Sequence, residues 1–122
     1  MGPITSNKFN RVSKGWGHEI WITNNEKYCG KLLHFNEGKI CSWHYHKLKE
    51  EHFYVASGVI EIIYGEDDDK KRISCCNLYT GDGFHVPIGL RHQMKAVGGD
   101  AEIFEFSTTH FDTDSYRIEE GD

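Results

Sequence analysis

The sequence lacks any long hydrophobic run, and no stretch approaches the roughly 20 consecutive apolar residues that a membrane-spanning helix needs. It also lacks an excess of basic charge. The 14 lysines and arginines stand against 19 aspartates and glutamates, for a formal net charge of −5. A chain with this balance has no general electrostatic attraction for nucleic acid or for an anionic membrane. We therefore expect a small-molecule partner, with no nucleic acid and no membrane.

Signals for secretion and for a disulfide framework are lacking too. The opening MGPITSNKF has no apolar core of the kind found in signal peptides. The four cysteines form no CxxC pair, and Cys75 and Cys76 are adjacent, a poor geometry for bridging each other. These features predict a reduced, cytoplasmic protein. Gly2 and Ser6 fit the loose pattern for N-myristoylation, but without a basic cluster or second lipid signal we do not expect an anchor.

Aromatic and strand-forming residues are abundant. The 122 residues leave room for one domain with its own core, and aromatics make up 13% of them. Short segments of strand character alternate with turns rich in glycine, asparagine and aspartate, and no window shows helical periodicity. The predicted strands are 17–23, 28–35, 39–46, 51–56, 58–65, 72–80, 91–97 and 101–108. This pattern predicts an all-β antiparallel sandwich or barrel, formed by a single domain over residues 1–122.

Two polar segments interrupt or follow these strands. The charged run 66–72 (EDDDKKR) predicts an exposed hairpin tip. The polar C-terminal segment 111–122 is expected to cross the surface or to pack on the rim of the barrel.

Metal-binding side chains are concentrated in the segment HYHKLKEEHFYVASG. Side chains alternate between the two faces of a strand, so His44 and His46 share a face and can reach one metal ion. Glu51 opens the next predicted strand and shares its face with Phe53 and Val55. A carboxylate aimed at an apolar interior is costly unless a cation meets it. A metal ion held by the two histidines would supply that cation.

The remaining histidines carry a weaker signal. His52 falls on the face opposite Glu51, where we expect a surface role. Glu50 is the alternative carboxylate to Glu51. His34 shares a face with Leu32, while the other face of that strand carries Leu33 and its neighbours, and the pattern does not decide which face is internal.

The spacing of these residues resembles the first motif of the cupin superfamily. That motif is Gly, five residues, His-x-His, three or four residues, Glu, six residues, Gly. The matching residues are Gly38, His44, His46, Glu51 and Gly58.

The second cupin motif follows over residues 81–96. It is Gly, five residues, Pro-x-Gly, two residues, His, three residues, Asn. Gly81, Pro87, Gly89 and His92 match it, and Ala96 stands where the asparagine would be.

The cupin resemblance implies a double-stranded β-helix, or jelly-roll barrel, that binds one divalent transition metal. The implied ligands are His44, His46, Glu51 and His92. Three imidazoles and a carboxylate suit Zn, Mn, Fe, Ni or Co, and the sequence does not choose among them.

The resemblance also implies a homodimer, because small cupins commonly form one. Phe9, Trp16 and Trp21 are the aromatic side chains that we expect to be exposed at such an interface.

Within the superfamily, the chain resembles the cupin-type (type II) mannose-6-phosphate isomerase domain. The similar segments are KGWGHEIWI, EEHFYVASG and the C-terminal stretch with Glu105 and Arg117. This implies a metal-dependent isomerase or epimerase of a sugar phosphate or related carbohydrate, with a base that removes a proton next to the carbonyl. In that family the glutamate usually lies closer to His-x-His than the four-residue spacer found here.

The implied catalytic residues are Glu105, as candidate base, and Arg117, which would meet an anionic group of the substrate. Lys31 is a weaker candidate than Arg117 for binding the anionic group of the substrate. Glu105 also fits a structural hydrogen-bonding role, and Arg117 a surface salt bridge. Two other functions stay open at this point: a non-haem metal dioxygenase of a small molecule, and a non-catalytic cupin that binds a sugar or another small ligand.

Overall fold

The computed structural model describes residues 9–122. This part of the chain is almost entirely β-structure, with a single three-residue 3₁₀ helix at Asp112–Asp114. The strands are β1 (Asn10–Lys14), β2 (Gly17–Asn24), β3 (Cys29–Phe35), β4 (Trp43–Tyr45), β5 (Glu51–Ser57), β6 (Ile60–Gly65), β7 (Ile73–Leu78), β8 (Gly83–Val86), β9 (Arg91–Ala96), β10 (Ala101–Ser107) and β11 (Tyr116–Glu119). No helix within residues 9–122 has the length and apolar character to cross a membrane.

The strands form two antiparallel sheets. One has six strands in the order β1-β2-β3-β10-β5-β8, and the other has five in the order β11-β4-β9-β6-β7. The buried core draws on both sheets, with Leu33 and Phe53 from the first packed with Ile62 and Met94 from the second. The sheets therefore enclose the core between their inner faces. This confirms the prediction of an all-β jelly-roll barrel.

Strict alternation shows which side chains enter the barrel. In β3, Cys29, Lys31, Leu33 and Phe35 are buried, while the residues between them, including His34, are only partly covered. The face that carries Leu33 is therefore the internal one, a choice that the sequence left open, and β2 and β10 pair along the two edges of the strand. A charged lysine thus enters the interior on an otherwise apolar face.

Three strands were missed by the prediction. Strands β1 and β11 are polar and mostly exposed, and each forms by pairing along one neighbour, β2 or β4. The short strand β8 begins at Gly83 and lies between the predicted strands 72–80 and 91–97; it pairs along β5. Pairing partners distant in sequence create these strands, and local propensity does not signal them.

The charged run 66–72 connects β6 to β7, as predicted for a hairpin tip. It is not purely solvated, because Trp43 Nε1 donates a hydrogen bond of 2.8 Å to the carbonyl of Asp68. The ammonium of Lys70 lies 5.3 Å from the centre of the Trp43 ring. The tip thereby covers Trp43, which is fully buried.

Gly58 shows why the first motif ends in glycine. Its φ of +79° lies in the left-handed region, where a side chain is strained. A Cβ at this position would also collide with the backbone of Asp100 and Ala101. The glycine lets the β5–β6 turn pass directly against the start of β10.

The prediction that Trp16 is exposed at an interface is wrong. Trp16 is buried and stacks on Phe35, with ring centroids 4.2 Å apart. Trp21 is half-buried, and both tryptophans line the internal cavity. Phe9 is exposed, as predicted. Gly2 and Ser6, the myristoylation pattern, lie outside the described residues.

Candidate metal centre

Three histidines converge inside the barrel. His44 on β4 and His92 on β9 are direct cross-strand partners, and His46 follows β4 by one residue. One ring nitrogen from each of the three lies within 4.8 Å of the others. Antiparallel pairing of β4 with β9 therefore unites the two sequence motifs at one point.

Main-chain carbonyls orient all three rings. Each Nδ1 lies 2.8–3.0 Å from a carbonyl oxygen, which can only accept a hydrogen bond. The acceptors are Ser42 for His44, Asp114 for His46 and Leu90 for His92. The proton therefore sits on Nδ1, and each Nε2 keeps its lone pair free for a metal ion.

Burial favours the neutral form of these rings. Desolvation, assisted by the neighbouring His92 and His46, holds the pKa of His44 well below its usual value. Desolvation likewise lowers the pKa of His46 to about 4. Metal ligation requires an unprotonated imidazole, so both rings are ready to bind a cation at neutral pH.

Glu51 points into the same site, as predicted, while Glu50 is exposed and pairs with His85. One carboxylate oxygen of Glu51 lies 3.1 Å from His92 Nε2, and the other lies 3.5 Å from His46 Nε2. Burial opposes ionisation of Glu51, but the adjacent Lys49 and the histidines outweigh it and hold the pKa well below its usual value.

The site contains three buried polar atoms that find no hydrogen bond of acceptable geometry within residues 9–122. They are His46 Nε2, His92 Nε2 and Glu51 Oε2. Such unsatisfied atoms are costly, and all three are metal-donor atoms facing one another. A divalent cation would satisfy them together, so the donor set fits the metal that the sequence motifs imply.

The site opens into a cavity of about 370 Å³. Aromatic and apolar side chains form much of its wall, and polar groups cluster on one side. Its lining residues include Trp16, Trp21, Lys31, Lys49, Glu105, His110 and Arg117. This volume lies within the range typical of small-molecule sites.

Residues 31–107 match the family model described as "Cupin domain". The chain belongs to the cupin domain family. A comparison with curated proteins finds no match. The match covers both histidine-containing motifs, most of β3 and all of β4 to β10, and leaves β1, β2 and β11 outside it.

Solved structures share the fold of this cupin. The capsular polysaccharide assembling protein CapF from Staphylococcus aureus superposes with a TM-score of 0.82 at 20% identity, covering 93% of this chain and 35% of CapF. KdgF from Halomonas sp. gives a TM-score of 0.73 at 17% identity, covering 89% of this chain and 98% of that chain. Oxalate decarboxylase OxdC from Bacillus subtilis gives a TM-score of 0.80 at 18% identity, covering 95% of this chain and 33% of that chain. This cupin thus spans about a third of CapF and of OxdC. At these identities the likeness shows the fold alone.

Sequence reasoning missed Lys49, which lies at the centre of the polar cluster. Its ammonium is 2.9 Å from Glu51, donates to Glu105 at 3.1 Å and lies 3.1 Å from His110 Nδ1. Burial opposes its charge, but Glu105 and Glu51 outweigh burial and raise the pKa of Lys49. No sequence signal pointed to Lys49, because it lies in the loop between β4 and β5, where strand alternation does not apply.

The predicted catalytic residues occupy different parts of the cavity. Glu105 is buried beside Lys49, and burial together with the charge of Glu51 raises its pKa. Arg117 is exposed at the rim, where β11 places it opposite His44. Lys31 is buried and already engaged, 3.4 Å from Glu19 and 4.3 Å above the Trp21 ring. Arg117 is therefore the freer cation for a ligand.

We expect acid to destabilise the metal-free cupin through His46. The pKa of His46 is about 4 in the folded protein and 6.5 in the unfolded chain. As pH falls below 6.5, the unfolded chain therefore takes up a proton that the folded protein does not, and the free energy of unfolding decreases. His46 alone should cost about 2 kcal/mol between pH 7 and pH 5. Urea unfolding of chelator-treated protein at both pH values measures this loss. His46→Gln should flatten the dependence and His85→Gln should not; equal slopes in all three proteins would contradict the assignment.

Proposed function

We propose that this cupin is a metal-dependent enzyme that isomerises or epimerises a carbohydrate bearing an anionic group, as a mannose-6-phosphate isomerase-like protein would with a sugar phosphate. One observation carries the proposal. The donor set of three histidines and Glu51 opens on a cavity that also holds a buried acid–base pair, Glu105 and Lys49, 3.1 Å apart.

The charges in the cavity favour an anionic substrate. Four basic and four acidic side chains line it, and a bound divalent ion would make the sum positive. An electropositive cleft attracts anions and raises their local concentration. The rings of Trp16 and Trp21 offer apolar surface of the kind that packs against a sugar. CapF, a fold neighbour, is described as a capsular polysaccharide assembling protein, which is consistent with a carbohydrate ligand here.

His44, His46, Glu51 and His92 would hold the metal. When bound, a divalent ion would polarise the carbonyl and hydroxyl oxygens of the substrate.

In this proposal Glu105 takes the proton from the hydroxyl-bearing carbon next to the substrate carbonyl and returns it to the former carbonyl carbon, while the hydroxyl proton moves to the former carbonyl oxygen. A carboxyl whose pKa is raised is a better proton acceptor than an ordinary glutamate. Lys49, bound to Glu105, donates hydrogen bonds that hold the carboxylate in place. Arg117 lies at the rim with no ion pair to residues 9–122, where its planar guanidinium suits a phosphate or carboxylate.

Proton exchange tests the function. The metal-loaded protein is incubated in D₂O with a panel of aldose and ketose phosphates and uronates. NMR should show deuterium entering one of them next to the carbonyl, together with its isomer. Binding without exchange for every compound would favour a non-catalytic sugar-binding cupin. Activity that needs ferrous iron and consumes oxygen would instead identify a dioxygenase.

Substitution of Arg117 tests the anionic group. Loss of a charge-assisted hydrogen bond costs about 1.5–3 kcal/mol, so Arg117→Gln should raise KM for the anionic substrate by roughly 10–100-fold while kcat changes little. Arg72→Gln, on the exposed hairpin, is the matched control. An unchanged KM in Arg117→Gln would remove Arg117 from the site.

We also propose that the protein works as a cytoplasmic homodimer, as the cupin resemblance implies. Sedimentation equilibrium at micromolar concentration should return twice the chain mass of 14.1 kDa. A monomer mass would contradict the dimer.

A further inference from the structure

A buried acidic residue outside the family match organises the loop between two of the metal-site residues. Asp114 ends the 3₁₀ helix that precedes β11, and only 3% of it is exposed. Its carboxylate accepts hydrogen bonds from the main-chain N–H groups of Lys47 (2.9 Å), Leu48 (3.1 Å) and Lys49 (3.0 Å). These three residues belong to the four-residue spacer between His46 and Glu51.

The spacer has no strand pairing of its own. It lies between β4 and β5, and its successive N–H groups point at a single anion, an arrangement that forms a compact backbone nest. Buried main-chain donors need acceptors, and Asp114 provides them. The carboxylate therefore fixes the path of the chain from His46 to Glu51.

Asp114 also acts on His46 directly, through its main chain. Its carbonyl accepts the Nδ1 hydrogen of His46 at 2.8 Å. The carbonyls that orient His44 and His92 lie only two residues before each ring, whereas Asp114 lies 68 residues from His46. His46 is thus the one ring of the three that is oriented by a distant part of the chain.

Strand β11 holds Asp114 in register with the site. Tyr116 pairs with Tyr45 and Arg117 pairs with His44, so the segment that carries Asp114 is hydrogen-bonded to the strand that carries the first histidine. The rings of Tyr45 and Tyr116 stack 5.2 Å apart.

We propose that Asp114 is a positioning residue of the metal centre, which it completes from the C-terminal segment by fixing the His46 ring and the His46–Glu51 spacer. The inference rests on the proposed metal-dependent function. It makes the C-terminal segment, which lies beyond the residues matched to the cupin domain, part of the site.

The test compares Asp114→Ala and Asp114→Asn with Asp82→Ala and Asp82→Asn in the full chain. Asp82 is a matched control, since its carboxylate also accepts a main-chain N–H, that of Tyr79 at 2.8 Å, in an exposed turn that does not line the cavity. Titration with Zn²⁺ gives the affinity, and the absorption spectrum with Co²⁺ reports ligand geometry. Loss of a group that orients a ligand typically weakens metal binding by about 10–100-fold.

We expect Asp114→Ala to lose affinity by that factor and to change the Co²⁺ spectrum. Asp114→Asn keeps one acceptor oxygen, so its metal affinity should lie between that of Asp114→Ala and that of the wild type. The Asp82 variants should match wild type even where their melting temperature falls. If Asp114→Ala does not fold, the metal affinity and Co²⁺ spectrum of Asp114→Asn test the proposal. Wild-type affinity and spectrum in a folded Asp114 variant would overturn the proposal.

NMR of the metal-free proteins separates this inference from the proposed function. Asp114→Ala keeps the main-chain carbonyl that His46 uses but removes the carboxylate, so the main-chain N–H hydrogens of Lys47 and Lys49 report its role. They should be protected from exchange in wild type and in the Asp82 variants, and should exchange rapidly in Asp114→Ala. Failure of the wild-type protein to bind any divalent ion would contradict the proposed function, while exchange of the Lys47 and Lys49 main-chain hydrogens would still decide the role of the Asp114 carboxylate. Equal protection in wild type and Asp114→Ala would count against it.

Discussion

Replacing His92 by alanine is expected to abolish metal binding by this cupin. His92 is fully buried, its Nε2 has no hydrogen-bond partner within the described chain, and its ring lies 4.3 Å from that of His44. Loss of groups that merely orient a ligand costs about 10–100-fold in affinity, so loss of the ligand itself should cost more than about 100-fold. Any catalysis that depends on the ion should disappear with it.

Elemental analysis and calorimetric titration of the metal-free protein measure this effect. His85→Ala is the control, because His85 is an exposed histidine that pairs with Glu50 on the outside of the barrel. It should bind one equivalent of metal with wild-type affinity. Circular dichroism distinguishes lost binding from lost folding. Retention of wild-type affinity by folded His92→Ala would show that the three-histidine cluster is not the metal centre.

Replacing Lys49 by methionine should strongly destabilise the metal-free protein. The ammonium lies between two buried carboxylates, 2.9 Å from Glu51 and 3.1 Å from Glu105. Methionine fills similar volume but leaves both acids without their counter-charge. Breaking a buried ion pair from one side typically costs about 3–5 kcal/mol. Urea unfolding at pH 7 in the presence of a chelator measures the loss.

A double-mutant cycle with Glu105→Gln tests the cause of this loss. Glu105→Gln in the Lys49→Met background removes one of the uncompensated charges and should recover part of the stability. The pH dependence has a defined sign. Lys49 lowers the pKa of both carboxyls, so without it the raised pKa of Glu105 rises further and that of Glu51 rises too. The folded variant then takes up protons more readily than the wild type, and the deficit should shrink as pH falls from 7 toward 4. An additive cycle together with a deficit that does not change with pH would rule out the electrostatic explanation.

The candidate metal-binding side chains could be predicted from sequence because their signals are local. The pleat puts His44 and His46 on one face, and Glu51 enters the barrel on the face that carries Phe53 and Val55. His92 came from the spacing of the second motif. The fold class followed from short strands and frequent turns, and both sheets confirm it.

The groups around the metal site were not predictable in the same way. Lys49 lies in a loop where alternation gives no reliable face, and His110 reaches it from a segment 61 residues away. Trp16 was expected outside as part of the aromatic dimer interface that the cupin resemblance implies. It is buried because Phe35, the end of another strand, stacks on it.

Taken alone, the sequence determined the all-β class and the side chains able to bind a metal, since both depend on the period of a strand and on spacing along one chain. Tertiary structure alone decided how those side chains are held: the carbonyl of Asp114 on His46, the ammonium of Lys49 between two acids, and Arg117 opposite His44. The physical reason is that hydrogen bonds and ion pairs form between atoms about 3 Å apart, whatever their separation along the chain. Residues 46 and 114 become neighbours only when β11 pairs with β4.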